Sequence, residues 1–231
     1  MNSRYQSDVK NIYTADYVNS FRSLHGSKSF VSLKHRLNRD NIRRLLNKED
    51  KWLDACCGEA WHFTTIPKDF AKCVGVDISP AQIKLAKKEN PDCKFFCSDI
   101  LDADFPKNHF NLVTHFWGGY CYFNTYDQIN SFFEKLINWT AIGGNLYIEI
   151  LTMDLIETFN GSEYSKATAS DVLLEQDDLE RWTYRDAGGV HKMLSPSFEK
   201  VFKIFEGKFK DFSWLENTNQ FIALSKLESL A

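Results

Sequence analysis

Three acidic residues, each closing a short apolar run and each about one strand and one helix after the last, constrain this chain more than any other feature. The first run is Trp52-Leu-Asp54-Ala-Cys56, the second Gly75-Val-Asp77-Ile78 and the third Phe96-Cys-Ser-Asp99-Ile100. Short, wholly apolar strands spaced by helix-length segments belong to a parallel sheet covered on both faces. A ligand of such a sheet sits beyond the carboxyl ends of the strands, where these three carboxylates fall. The pattern predicts the rim of a pocket for a nucleotide-like molecule.

The alternation continues around these runs. Residues 1–45 read as two amphipathic helical pieces, the first carrying Tyr13, Tyr17, Val18 and Phe21 on one side, the second Ile42, Leu45 and Leu46. Strands are predicted at 51–56, 74–77, 93–98, 110–116 and 146–151. A helix starts at Ser79-Pro80, a cap followed by Pro in the first turn, and ends at Asn90-Pro91. Residues 126–139 are helical, with Ile129, Phe132, Phe133, Leu136 and Ile137 on one side. Gly143-Gly144 turns into the fifth strand.

The period breaks after 152. Residues 152–194 are polar, with weak helix or strand signals around 171–184 and a turn at Gly188-Gly189; such a segment covers a site or forms a partner face. Ser195-Pro-Ser-Phe-Glu opens a helix to about 206, and 209–215 with 219–225 read as an antiparallel pair ending the sheet. The expected fold is therefore a single α/β domain: a Rossmann-like, mostly parallel sheet with helices on both faces. Its parts are an N-terminal helical lid (1–45), a cofactor-binding core (46–151), a substrate-covering insertion (152–194) and a terminal helix with a strand pair (195–231).

Composition narrows the function. The formal net charge of −3 offers no basic field for a phosphate backbone, so nucleic acid is not an expected partner. No stretch approaches 18 apolar residues, and no membrane or secretory segment is read, so a cytoplasmic protein is expected. The six cysteines have no paired metal-ligand spacing, read as reduced core residues, and give no metal site. Aromatic residues make up 15% of the chain, enough to line a small-molecule pocket, a core or a dimer face.

The loop after the first strand contains Gly58, free to take backbone shapes denied to other residues. Asp77, about twenty residues on, is placed to accept hydrogen bonds from ribose hydroxyls. Asp99 is suitably placed for an exocyclic amine. A lone Asp at a strand end is more often a helix cap; the register of all three favours a site. The loop lacks both Gly-x-Gly-x-x-Gly and the phosphate-cradling Gly-x-x-x-x-Gly-Lys-Ser/Thr, and Glu59 in it repels an anion but tolerates a cation. A nicotinamide-dependent oxidoreductase is accordingly the weaker reading.

Leu53-Asp-Ala-Cys-Cys-Gly-Glu-Ala60 resembles the first motif of class I S-adenosylmethionine-dependent methyltransferases, usually Leu-Asp-x-Gly-x-Gly-x-Gly, with Cys56 and Ala60 in two glycine positions. Gly-Val-Asp77-Ile-Ser resembles the family's ribose-binding strand end, Ser98-Asp99-Ile100 its adenine-side motif, Phe110–Phe116 its fourth strand and Ala141-Ile-Gly-Gly its turn before strand five. The resemblance implies a seven-stranded sheet with an antiparallel last strand, and S-adenosylmethionine as cofactor, with S-adenosylhomocysteine as product. It also implies roles. Asp54 orients the loop or reaches the methionine amino group, Cys56 and Gly58 line it, Asp77 and Ile78 hold the ribose side, Asp99 and Ile100 the adenine. Phe116 and Trp117 flank the sulfonium, where ring faces stabilise a cation.

Methyl transfer is an in-line displacement, driven by positioning with at most a general base. Candidates for that base are His115, His191, Glu149, Tyr120 and Tyr122. The fourth-strand exit, Thr-His-Phe-Trp-Gly-Gly-Tyr, is unlike the Asn-Pro-Pro-Tyr run of adenine-amino and glutamine methyltransferases. That favours the nitrogen or oxygen of a small metabolite, under a lid made of residues 116–126, the N-terminal tyrosines and 152–194. The layout is similar to small bacterial N- or O-methyltransferases, including those that modify amino sugars. A protein or RNA acceptor, a homodimer, and a non-catalytic cofactor-binding relative stand as the alternatives.

Overall fold

The computed structural model describes residues 5, 9–19, 29–151, 153–175, 180–186, 188–215 and 220–228; Phe21 lies outside them. Among these described residues ten strands run in chain order as β1 (Lys51–Ala55), β2 (Lys72–Asp77), β3 (Lys94–Cys97), β4 (Phe110–His115), β5 (Thr140–Glu149), β6 (Asp171–Leu174), β7 (Arg181–Asp186), β8 (Gly189–Leu194), β9 (Phe209–Leu215) and β10 (Gln220–Lys226). Seven of them form one sheet in the order β3-β2-β1-β4-β5-β10-β9. The first five pair in parallel, and β10 is antiparallel to both β5 and β9. The expected sheet and its antiparallel last strand are thus present.

The reason is visible along each strand. Trp52, Leu112, Tyr147 and Ile222 point to one face and join a core layer with Ile42 and Leu45, whereas Leu53, Val113, Ile148 and Phe221 point to the other, with Phe132, Phe133 and Phe205. Each of these strands buries both faces, which is why its sequence is apolar without alternation. Burial of each such side chain stabilises the fold by roughly 1.5–3 kcal/mol.

The strands are accompanied by the helices α1 (Val9–Ile12), α2 (Ser29–Leu45), α3 (Pro80–Glu89), α4 (Tyr126–Trp139), α5 (Met153–Thr158), α6 (Glu163–Thr168) and α7 (Phe198–Phe205). Ser79 caps α3, its Oγ accepting from the Gln82 N–H at 3.2 Å. Thr125 and Gln128 close a reciprocal capping box on α4. The stripe Ile129, Phe132, Phe133, Leu136 and Ile137 is buried as its spacing predicts. Between β1 and β2 the chain makes only a short 3-10 turn, Trp61–Thr65, where Rossmann-like sheets place a helix.

Two stretches depart from the sequence reading. The fifth strand begins at Thr140 rather than 146 and ends at Glu149, with a break in register between Phe110↔Thr140 and Leu112↔Asn145. Gly143 (φ 73°) and Gly144 make that irregularity inside the strand, and a Cβ on Gly144 would lie 2.9 Å from the carbonyl oxygens of Ala141 and Asn111. Residues 171–194 form a second, three-stranded antiparallel sheet, β6-β7-β8. Its inner face carries Val172, Trp182, Tyr184, His191 and Met193, and its outer face Leu173, Arg185, Val190 and Lys192. This sheet packs on the turn Gly119–Tyr122 that follows β4.

Candidate active site

At the carboxyl ends of β1, β2 and β4 a cavity of about 1110 Å³ opens, lined at one end by Asp54, Cys56, Gly58, Asp77, Ile78 and Ile100. Asp77 leaves β2 and is held by backbone donors: its Oδ2 accepts from Gly58 N–H at 2.9 Å and its Oδ1 from Ser79 N–H at 2.8 Å. One carboxylate therefore fixes both the loop after β1 and the start of α3. Each oxygen keeps a lone pair for a hydroxyl in the cavity. Asp54, 2% exposed, accepts from the Thr114 hydroxyl at 2.6 Å.

The glycine replacements in the loop now have a backbone account. Cys56 (φ 56°), Gly58 (φ 55°) and Ala60 (φ 55°) are all left-handed. A side chain there costs roughly 1–2 kcal/mol. The loop keeps its shape without two of the usual glycines, held by Cys57 N–H to Val76 O at 2.9 Å and Ala60 N–H to Cys57 O at 2.8 Å. Trp117 (φ 64°) and Gly118 (φ 63°) repeat the left-handed turn after β4.

Electrostatics at this end favour a cation. Burial raises the Asp54 carboxyl to about 7, an effect that Thr114 opposes and the charges of Asp77 and Glu149 reinforce. Burial also raises Asp77, against the pull of its backbone N–H bonds. Two carboxyls short of compensating charge suit a ligand carrying hydroxyls and positive charge. Gln82 Oε1 is buried without a partner among the described residues, 3.8 Å from where a Cβ on Gly58 would stand, and it lines the same cavity. These features fit a ribosyl sulfonium.

The other end of the cavity is built from side chains of three distant segments. Tyr13 and Tyr122 share a hydroxyl–hydroxyl bond of 3.1 Å, Tyr122 Oη lies 2.6 Å from His191 Nδ1, and His191 Nε2 lies 3.1 Å from Asp186 Oδ1. Tyr17 donates to Asp186 Oδ2 at 2.7 Å and Gly188 N–H to Oδ1 at 2.7 Å. Burial works against the Asp186 carboxylate, but these bonds from His191, Tyr17 and Gly188 together hold it below its ordinary value. Burial pushes the Tyr13 phenol up to about 12. The Tyr13 carbonyl accepts from Ser79 Oγ at 2.8 Å, which ties this end to the helix cap beside Asp77.

Comparison with known proteins bears on this geometry. A family profile described as a methyltransferase domain matches residues 53–144, the stretch that supplies Asp54, Asp77 and Ile100. Residues 53–144 are thus similar to a methyltransferase domain. A dTDP-4-amino-2,3,4,6-tetradeoxy-D-glucose N,N-dimethyltransferase of Saccharopolyspora spinosa is 22% identical over 152 residues, which are 62% of this chain and 57% of that protein. The match thus spans little more than half of the curated relative. Solved structures share the fold. A protein of Pyrococcus horikoshii superposes with a TM-score of 0.70 at 16% identity, covering 92% of this chain and 99% of its own. A sugar N-methyltransferase of Streptoalloteichus gives 0.66 at 16% identity over 99% and 98%. A SAM-bound amino pentose methyltransferase of Micromonospora echinaspora gives 0.61 at 18% identity over 93% and 98%.

In this chain the residues read from the sequence separate into two groups. Asp54, Cys56, Gly58, Asp77, Ile78 and Ile100 line the cavity together, as do Phe116 and Trp117. Asp99 stands just behind, its Oδ1 accepting from Leu101 N–H at 2.9 Å, while its neighbours Ser98 and Ile100 face the cavity. Among the base candidates, His191 and Tyr122 face the cavity, and the others do not. His115 is fully buried with Nδ1 2.9 Å from Ala55 O and Nε2 accepting from Tyr120 N–H; burial lowers it to about 4, although the Ala55 carbonyl pulls the other way. Its ring is a brace between β1 and the turn after β4. The Tyr120 hydroxyl accepts from Leu151 N–H at 3.0 Å inside the core, and burial raises it well above the ordinary phenol.

Glu149 is also withdrawn from the cavity. It takes an ion pair from Lys34 at 2.8 Å and the Trp117 N–H at 2.7 Å, all but sealed from solvent. Lys34 Nζ also sits 4.0 Å from the centre of the Trp117 ring. Glu149 therefore pins the left-handed Trp117 turn to α2 rather than meeting a substrate. Asp186 is the member of the second end of the cavity that sequence reasoning missed. In Asp-Ala-Gly-Gly it reads as an ordinary turn residue, and nothing local says that its carboxylate turns inward onto His191.

Proposed function

We propose that this methyltransferase moves a methyl group from S-adenosylmethionine to a nitrogen of a small-molecule amine. The observation carrying this reading is the chain Tyr13–Tyr122–His191–Asp186, which ends in the cavity that Asp54 and Asp77 line. The cofactor supplies an electrophilic methyl group on a sulfonium. An amine attacks it only with a free lone pair, so the protein must take a proton from an ammonium before or during transfer.

The chain of bonds provides that path. With the imidazole proton on Nε2 facing Asp186, Nδ1 accepts from Tyr122, and Tyr122 in turn accepts from Tyr13. The oxygen of Tyr13 is then free to accept an N–H from the acceptor. A proton leaving the acceptor for Tyr13 displaces the phenolic proton to Tyr122 and that of Tyr122 to His191, giving an imidazolium stabilised by Asp186. The raised phenol of Tyr13 keeps it neutral at rest, a conduit rather than a standing base. Asp54 and Asp77 hold the donor in register, and the Trp117 turn, fixed by Glu149, shapes the wall beside the transferred group. The curated relative, named as an amino-sugar N,N-dimethyltransferase, supports nitrogen as the acceptor atom.

The test is incubation with S-adenosylmethionine and separate pools of small amines, phenols, peptides and RNA, followed by mass spectrometry. A gain of one methyl per acceptor nitrogen in the amine pool, with S-adenosylhomocysteine formed in step, is expected. Transfer confined to phenols, peptides or RNA overturns the assignment.

A further inference from the structure

We infer that the acceptor is a phosphate-free amine carried on an apolar ring skeleton, unlike the nucleotide-linked amino sugar in the name of the curated relative. This rests on the amine methyl-transfer reading and names the substrate class for the same cavity. At 1110 Å³ the cavity exceeds the range of about 300–1,000 Å³ usual for one drug-sized ligand, so it has room for cofactor and acceptor together. The acceptor end is apolar and aromatic. The inner face of β6-β7-β8 presents Val172, Trp182, Tyr184 and Met193, and Phe159 closes on Tyr184 edge to face at 5.8 Å between ring centres.

A diphosphate needs cations, and the charge on this sheet is turned away. Arg185 forks onto Asp171 on the outer face, at 2.9 and 2.6 Å. Lys192 shares that face. The guanidinium of Arg181 is directed to Asn124 O at 3.2 Å. Among the described residues lining the cavity, the Lys and Arg side chains are Lys34, Arg36 and Arg39, all on α2. That helix packs in the core layer on the opposite face of the main sheet from the one that takes Val172, Trp182 and Met193. Behind His191 at that end stands the Asp186 carboxylate, whose field opposes a phosphate and favours an ammonium. Strand alternation alone produces this sorting: one register step would put Arg185 and Lys192 inward.

Calorimetry on the protein saturated with S-adenosylhomocysteine tests the inference, with phenethylamine and cyclohexylmethylamine as ring-amine probes and thymidine diphosphate as the phosphate probe. At least one ring amine is expected to bind ten-fold or more tightly than thymidine diphosphate. Tyr184→Ala is expected to weaken that binding at least five-fold while leaving S-adenosylhomocysteine affinity unchanged, which shows that the variant is folded. Tighter binding of thymidine diphosphate, or no binding of either ring amine, overturns the substrate class while the methyltransferase reading stands. Failure of S-adenosylhomocysteine itself to bind overturns both.

Discussion

The two ends of the cavity are built in opposite ways. At the first end, proposed for the cofactor, the polar groups are carboxylates on the ends of β1 and β2, and Asp77 is gripped by backbone N–H groups of Gly58 and Ser79. At the second end, proposed for the acceptor, Tyr13, Tyr122, His191 and Asp186 come from segments far apart in the chain and grip one another. A site hung on strand ends inherits the precision of the sheet and tolerates changes of side chain around it. A site made by side chains meeting across segments depends on each member. The contrast predicts that mutations at the first end remove cofactor binding, and at the second remove turnover while sparing it.

The largest expected effect is at Asp77. Asp77→Ala removes a carboxylate that positions the loop and faces the ligand, and S-adenosylmethionine affinity measured by calorimetry should fall about 100-fold or more, given roughly 1.5–3 kcal/mol for each charge-assisted bond. An effect below ten-fold would mean that the backbone alone holds the pocket. Next comes Asp186→Asn, which keeps the shape but withdraws the charge behind His191. Turnover should drop about 100-fold or more, with S-adenosylhomocysteine affinity within two-fold of the parent. If both fall together, the acceptor end is structural and the contrast fails.

A third, smaller effect concerns pH. Burial sets the Asp54 carboxyl at about 7, and a bound cation favours its ionised form. Cofactor affinity should therefore rise with pH, by about ten-fold per unit between roughly pH 5 and 7, and level off above. Asp54→Asn should flatten the profile. The same shift has a consequence for folding. A carboxyl raised in the folded state contributes stability below its unfolded value, and that contribution is lost as pH rises through about 7. The empty protein should thus lose melting temperature through this window from Asp54, and cofactor should restore it. The smallest effect joins the two ends: Ser79→Ala removes the α3 cap and the bond to Tyr13 O. It should cost about 1 kcal/mol in a denaturant titration.

The difference between the ends also explains what was legible. Asp54, Asp77 and Ile100 could be read because a parallel strand announces itself by an apolar run, and its last residue has one place to go. The helix 126–139 was legible for the same reason, since a capping box and an apolar stripe act within one element. His115 and Glu149 occupy strand ends too, yet the structure gives them to the scaffold. Whether a strand-end side chain turns to the ligand or to a neighbouring turn depends on what packs beside it: here the Tyr120 N–H in one case, Lys34 and the Trp117 N–H in the other. The three-stranded sheet at 171–194 was only faintly written, because its strands bury one face and mix aromatic with charged residues.

By itself the sequence determined the sheet, the order of its elements and the carboxylates on its rim, because local periodicity and strand-end position are properties of single segments. The tertiary structure decided which histidine faces the cavity, which glutamate is a brace, and that the arginine and lysine of the covering sheet's outer face point away. Those outcomes turn on the packing of segments more than 100 residues apart, as Tyr13 with Tyr122, and on a strand register that one residue of slip would invert.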